Sequence, residues 1–139
     1  MSMDSKFSMD LRNDYTELPR LKEAVHRYCR VRGVPSNVLF ALDLSLDEIL
    51  TNVISYGYDD EREHRITIEI HSTAEFVEVE VKDDGKPFNP LEHQCHHTES
   101  TLTDRPVGGL GIHLVRSYMD DMRYKREGEC NCLTMRKNL

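Results

Sequence analysis

No run in this chain approaches the roughly 18 consecutive apolar residues of a membrane span, and residues 1–10 have no apolar stretch resembling a secretory signal. Neither a membrane partner nor export is expected. Cysteine is scarce: Cys29, Cys95, Cys130 and Cys132 are too few for a disulfide scaffold, so a reducing cytoplasm is the expected compartment. Positive charge is in deficit. With 25 acidic residues against 18 basic ones the formal charge is −7, which argues against direct binding of nucleic acid, whose partners normally carry a basic stripe. Low-complexity tracts and internal repeats are lacking as well. What remains is an ordinary folded unit: 38% hydrophobic residues can build a core, and 139 residues suit a single domain, 1–139.

Hydrophobic periodicity places the elements. Residues 6–11 alternate enough for a short strand. Asn13 or Asp14 can cap a helix reaching about Val31, with Leu18, Leu21, Val25 and Tyr28 on its inner stripe. Gly33-Val34-Pro35-Ser36 ends that helix and starts the next, with Ser36 or Asn37 as N-cap. Val38, Leu42, Leu46, Ile49 and Val53 then line one side of a second helix. Gly57 and the charged cluster 59–63 break the chain before two strands of period two. In 65–71, Ile66, Ile68 and Ile70 share a face; in 76–81, Val77, Val79 and Val81 do. Charged residues between them imply a sheet covered on one side and wet on the other. Residues 84–107 show no sustained apolar period and read as a functional lid. A third helix over 111–119 turns Ile112, Val115 and Met119 inward, and 122–126 with 130–136 form a hairpin about Glu127-Gly128-Glu129. This order implies an α+β two-layer sandwich, three helices on one face of a mixed, mostly antiparallel sheet.

Three segments carry the chemistry. Glu48-Ile49-Leu50-Thr51-Asn52 lies within the second helix, where residues four apart share a face, so a carboxylate and an amide point the same way. A carboxylate can orient or deprotonate an attacking hydroxyl, and an amide oxygen is a hard, uncharged ligand suited to magnesium beside phosphates. Asp83-Asp84-Gly85-Lys86-Pro87-Phe88 and Gly108-Gly109-Leu110-Gly111 follow. Taken singly these are a polar pair on a solvated helix face, an ordinary turn and a flexible glycine loop. In this order and at these distances they describe one magnesium-nucleotide site. Gly85 and Pro87 let the backbone turn close to a base, while Gly108, Gly109 and Gly111 open a helix whose free amides can meet phosphates.

The three segments resemble the N, G1 and G2 boxes of the Bergerat-fold, histidine-kinase-like ATPases, and within that superfamily the stand-alone anti-sigma-factor serine/threonine kinases. The likeness runs from about Leu11 to Lys137, and a transmitter-type histidine kinase would need a phosphoacceptor helix for which the chain has no room. It implies the Bergerat ATPase sandwich and the cofactors ATP and Mg2+. It also implies roles for individual residues: Glu48 as the catalytic base toward a protein hydroxyl, Asn52 as the magnesium ligand, and Asp83 as acceptor of the adenine N6 amine. Leu110 stands inside the G2 loop. Pro87 occupies the place where many relatives have a second G1 glycine. Thr134 matches a hydroxyl residue that many members place near adenine, and Arg105, just before G2, can contact the γ-phosphate. Implied partners are a sigma factor and a small anti-sigma antagonist, with a homodimer through an apolar strip on the first strand and helix.

Other readings stay open at this level. A non-catalytic ATP-binding module could sequester a regulatory protein and use the nucleotide only as a conformational ligand; retention of Glu48 favours the kinase, since binding alone needs no base. A mechanically coupled ATPase would need a transducer domain that 139 residues do not accommodate. Lys86 reads as surface. His93, Cys95, His96 and His97 crowd too closely for a tetrahedral zinc site, which normally draws on two separated pairs, and read as a polar lid segment. Cys130 and Cys132, two apart on a strand, read as buried small hydrophobes.

Overall fold

A computed structural model describes residues 5–92 and 111–139. The elements run β1 (Ser5–Arg12), a 3-10 turn (Tyr15–Glu17), α1 (Leu18–Arg32), α2 (Ser36–Tyr56), β2 (Arg65–Ser72) and β3 (Phe76–Asp83). A second 3-10 turn (Pro90–Glu92), α3 (Gly111–Tyr118), β4 (Asp121–Glu127) and β5 (Cys130–Asn138) complete the chain.

Local chemistry explains the boundaries. The Asp14 carboxylate accepts a hydrogen bond from the Thr16 amide at 2.9 Å, capping the turn that leads into α1. Glu17 then ties that turn to β1 and α1 together: it accepts from the Arg12 amide at 3.0 Å and from Arg20 at 2.9 Å. The Arg20 guanidinium, then the Arg12 amide, hold its carboxyl at about 2. Gly33, at φ 69°, closes α1 in the left-handed conformation that side chains disfavour. Neither Ser36 nor Asn37 caps α2. Both are already helical, the extended Pro35 takes the cap position without a side-chain bond, and its carbonyl accepts the Val38 and Leu39 amides. The proline's fixed φ starts the helix one residue before a hydroxyl or amide cap could act.

The strands lie in the order β1-β2-β3-β5-β4, and every neighbouring pair is antiparallel, so no parallel pair enters this sheet. The register aligns Ile66, Ile68 and Ile70 with Asp83, Val81 and Val79, and the latter three with Asn131, Leu133 and Met135. Leu21, Val25 and Cys29 of α1, Leu42, Leu46 and Ile49 of α2, and Val115 of α3 pack on that face as one cluster. Each fully buried aliphatic side chain is worth about 1.5–3 kcal/mol. A one-residue slip of β3 would turn the whole row outward, which is what holds the register. The opposite face is polar, with Glu78 bridging Arg123 and Arg136. Among the described residues no helix is long and apolar enough to cross a membrane.

Candidate nucleotide site

The inward rows of β3 and β5 are apolar until their last members. Alternation carries Val77, Val79 and Val81 to Asp83, and Met135 and Leu133 to Asn131, so a carboxylate and an amide face each other at the end of a buried strip. Asp83 is 5% exposed. Its Oδ1 accepts from the Gly85 amide at 2.9 Å and from Asn131 Nδ2 at 3.0 Å. Both bonds among the described residues fall on that one oxygen. Burial raises the Asp83 carboxyl above the ordinary range, and the bonds from Asn131 and Gly85 oppose the rise.

Asn131 is the hub of the turn that follows. Nδ2 also donates to the Lys86 carbonyl at 2.8 Å, while Oδ1 accepts from the Phe88 amide at 3.2 Å, from Arg126 Nη1 at 3.2 Å and from the Tyr124 hydroxyl. Two acceptors on one side and three donors on the other fix the orientation of the amide. Arg126 adds a bond to the Gly85 carbonyl at 2.7 Å. Asn131→Leu should therefore leave several buried groups unpaired, at about 1–3 kcal/mol for each that stays dry. Urea unfolding measures it; a loss within about 0.5 kcal/mol, the range of ordinary surface changes, would show that Asn131 does not hold the turn.

The turn docks on the end of α2. The Lys86 amide donates to the Gly57 carbonyl at 2.8 Å, and Gly57 in turn closes α2 through its own amide to Val53 at 2.8 Å. Gly85 has no room for a side chain: a Cβ there would lie 2.6 Å from the Gly57 carbonyl and 2.9 Å from Asp83 Oδ1. Pro87 is exposed in the same turn, and the Lys86 side chain reaches outward to Asp59 at 2.9 Å.

Asn52 stands five residues before Gly57, about 7.5 Å along the helix axis. It is 8% exposed, and its Nδ2 has no partner among the described residues; the Ser45 hydroxyl, fully buried seven residues earlier on the same stripe, has none either. Glu48 lies between them and is half-buried. Burial first, and the neighbouring Asp47 second, push its carboxyl above the ordinary range. Orphaned buried polar atoms are costly, and two in line with a desolvated carboxylate mark a face built for something other than core packing.

Gly111 is the first residue of α3, and Arg116 of that helix donates to the Leu91 carbonyl at 3.3 Å. Arg105, Gly108, Gly109, Leu110 and the cluster 93–97 lie outside the described residues. Thr134 requires a correction. It falls between Leu133 and Met135, whose side chains enter the core, and it pairs with Glu80 of β3, so it belongs to the opposite, polar face of the sheet and cannot share the Asp83 site. The polar side chain beside Asp83 is Asn131, three positions earlier. Alternation from Leu133 and Met135 is the signal that could have placed residue 131 on the inner face, in place of the face of Cys130, Cys132 and Thr134; what no sequence pattern supplied was that β5, and not β4, adjoins β3. Cys132 is buried and Cys130 half-buried, both as free thiols.

The chain matches the histidine kinase-like ATPase domain over residues 11–137. It is 28% identical to the serine/threonine-protein kinase BtrW of Bordetella bronchiseptica over 96 residues, which cover 69% of this chain and 68% of that one. Against the serine-protein kinase RsbW of Listeria innocua it is 26% identical over 140 residues, 91% of this chain and 84% of the relative. A further serine-protein kinase RsbW, from Bacillus velezensis, is 28% identical over 86 residues, 59% and 54% of the two chains. With nearly its whole length inside the match, the chain belongs to the histidine kinase-like ATPase domain family.

Proposed function

We propose that this chain is a single-domain, cytoplasmic, ATP-dependent serine/threonine protein kinase that binds a sigma factor and phosphorylates a small anti-sigma antagonist. The observation that carries the reading is the α2 face: a half-buried Glu48 carboxylate in line with Asn52 Nδ2, a buried donor without a partner among the described residues, on the helix whose end holds the Asp83 turn. The kinase names of the relatives support it.

Asp83 accepts the exocyclic amine of adenine through Oδ2, since Oδ1 is taken by Gly85 and Asn131. Gly85 and Pro87 bring the backbone close to the base. The glycines 108, 109 and 111, with Leu110 among them and α3 behind them, offer amides to the phosphates, and Arg105 offers its guanidinium to the γ-phosphate. Asn52 fits the phosphate end of a magnesium-nucleotide: its Nδ2, a buried donor without a partner among the described residues, is completed by a phosphate oxygen, and its Oδ1 is the hard, uncharged atom that would hold magnesium. Magnesium, when bound with ATP, neutralises charge on the phosphates. Glu48 removes the proton of a serine or threonine hydroxyl on the antagonist; the hydroxyl oxygen bonds to the γ-phosphorus as the bond to the β-phosphate oxygen breaks, and ADP keeps that electron pair. A carboxyl raised by burial is a stronger base for that step than an exposed one. Partners are engaged through protein surfaces, with a homodimer formed at β1 and α1.

The test is ATP binding by calorimetry with magnesium and with EDTA. Asn52→Ala should weaken binding at least about tenfold, about 1.4 kcal/mol, in magnesium, and far less in EDTA. Equal losses in the two conditions would reduce Asn52 to a helix-supporting residue. Failure of the wild type to bind ATP at all would remove the nucleotide reading.

A further inference from the structure

We propose, resting on the nucleotide-site reading above, that His64 is a positioning residue of the adenine-recognition turn, and that ATP affinity falls as its imidazole loses its second proton. His64 stands immediately before β2 and is pinned by its own backbone: its amide donates to Asn13 Oδ1 at 2.9 Å, and its carbonyl accepts the Asn13 amide at 3.1 Å. Its ring lies between two carboxylates. Nε2 is 2.7 Å from Asp60 Oδ1, and Nδ1 is 3.2 and 3.3 Å from the oxygens of Asp84. One face stacks on Tyr58 at 4.2 Å, and the side chain is 12% exposed.

A neutral imidazole has one donor nitrogen and one acceptor nitrogen, so it can satisfy only one of two carboxylates and turns a lone pair toward the other. The imidazolium donates to both. The arrangement therefore selects the charged ring, and Asp60 first, with Asp84 adding to it against the opposing effect of burial, raises the His64 pKa above its ordinary 6.5. The titratable and charged groups facing the ring are Asp60, Asp84 and Tyr58, with Arg62 sharing Asp60 at 3.2 Å.

The two carboxylates belong to the two segments that meet at the site. Asp84 sits between Asp83, the base reader, and Gly85, whose close approach to Gly57 shapes the turn. Asp60 and Tyr58 belong to the segment leaving α2 at Gly57, whose carbonyl receives the Lys86 amide. Asn131 and Arg126 clamp the turn from the β5 side; His64 staples it to the α2 side. The sign follows. The staple is complete below the ordinary imidazole value and is lost as pH rises through the raised one, so ATP affinity declines with rising pH.

The experiment is an ATP titration in magnesium from about pH 5.5 to about pH 8.5, bracketing the ordinary imidazole value, on the wild type, His64→Gln and Asp84→Asn. Titration of ATP itself is common to all three. Wild-type affinity should fall at least about 5-fold more across the range than that of His64→Gln, the low end of ordinary coupling between sites; Asp84→Asn, which keeps the ring but removes one carboxylate, should also flatten the profile. In parallel, the His64 ring resonances of the wild type should titrate at higher pH with ATP bound than without, because coupling is reciprocal. Parallel pH profiles in the three proteins, or a His64 midpoint unmoved by ATP, would overturn the role while leaving ATP binding intact. A wild type that binds no ATP at any pH overturns the nucleotide reading and this role together.

Discussion

Glu48→Gln should bind ATP as the wild type does and yet lose about 10²–10⁴-fold in phosphotransfer. Glutamine keeps the length and hydrogen-bonding reach of the side chain and removes its basicity. Structure and nucleotide binding are therefore expected to survive. The measurement is transfer of label from γ-labelled ATP to a serine or threonine of the antagonist, run beside a binding titration. Undiminished transfer would exclude Glu48 as the base. Absence of transfer by the wild type, across candidate antagonists, would favour the ATP-gated binding module.

The second large effect belongs to Asp83→Asn, and the hydrogen bonds around it decide its direction. Oδ1 faces two donors, the Gly85 amide and Asn131 Nδ2. An asparagine there must present its oxygen to those donors, because the flipped amide would set its NH2 against both. The NH2 then takes the place of Oδ2, and it meets the adenine amine donor to donor. A buried mismatch of this kind costs about 1–3 kcal/mol, or about 5–150-fold in affinity. The same NH2 can donate to the 6-oxo group of hypoxanthine, so inosine triphosphate should gain while ATP loses. Competition between the two nucleotides reads this directly. A wild type that binds ATP and GTP equally well would show that Asp83 does not read adenine.

Much of this geometry was legible in the chain. Strict alternation in Ile66, Ile68, Ile70 and in Val77, Val79, Val81 specified two half-buried strands, and continuing the second row by one step put Asp83 on the inner face. The inward residues expected for the third helix, Ile112, Val115 and Met119, are all buried. The hairpin turns at Gly128, whose φ of 63° suits the first central position of a two-residue turn. Other features were not legible. Ser36 and Asn37 look like N-caps by residue type, but Pro35 sets the helix start. Thr134 carries the right functional group and stands on the wrong face. His64 looks like one more polar residue in a charged cluster, and nothing local links it to Asp84, 20 positions away.

The sequence by itself determined the element types, the inner faces of β2, β3 and the three helices, and the order of the three chemical segments, because periods of 2 and 3.6 residues and the turn chemistry of glycine and proline are local properties. Only the tertiary structure decided which side chains meet. Placing β5 beside β3 brought Asn131 to Asp83 across 48 positions of chain, and the docking of the turn onto Gly57 forbade any side chain at Gly85. Those contacts depend on strand order and register, which are set when the whole apolar face is buried at once and which no window of sequence contains.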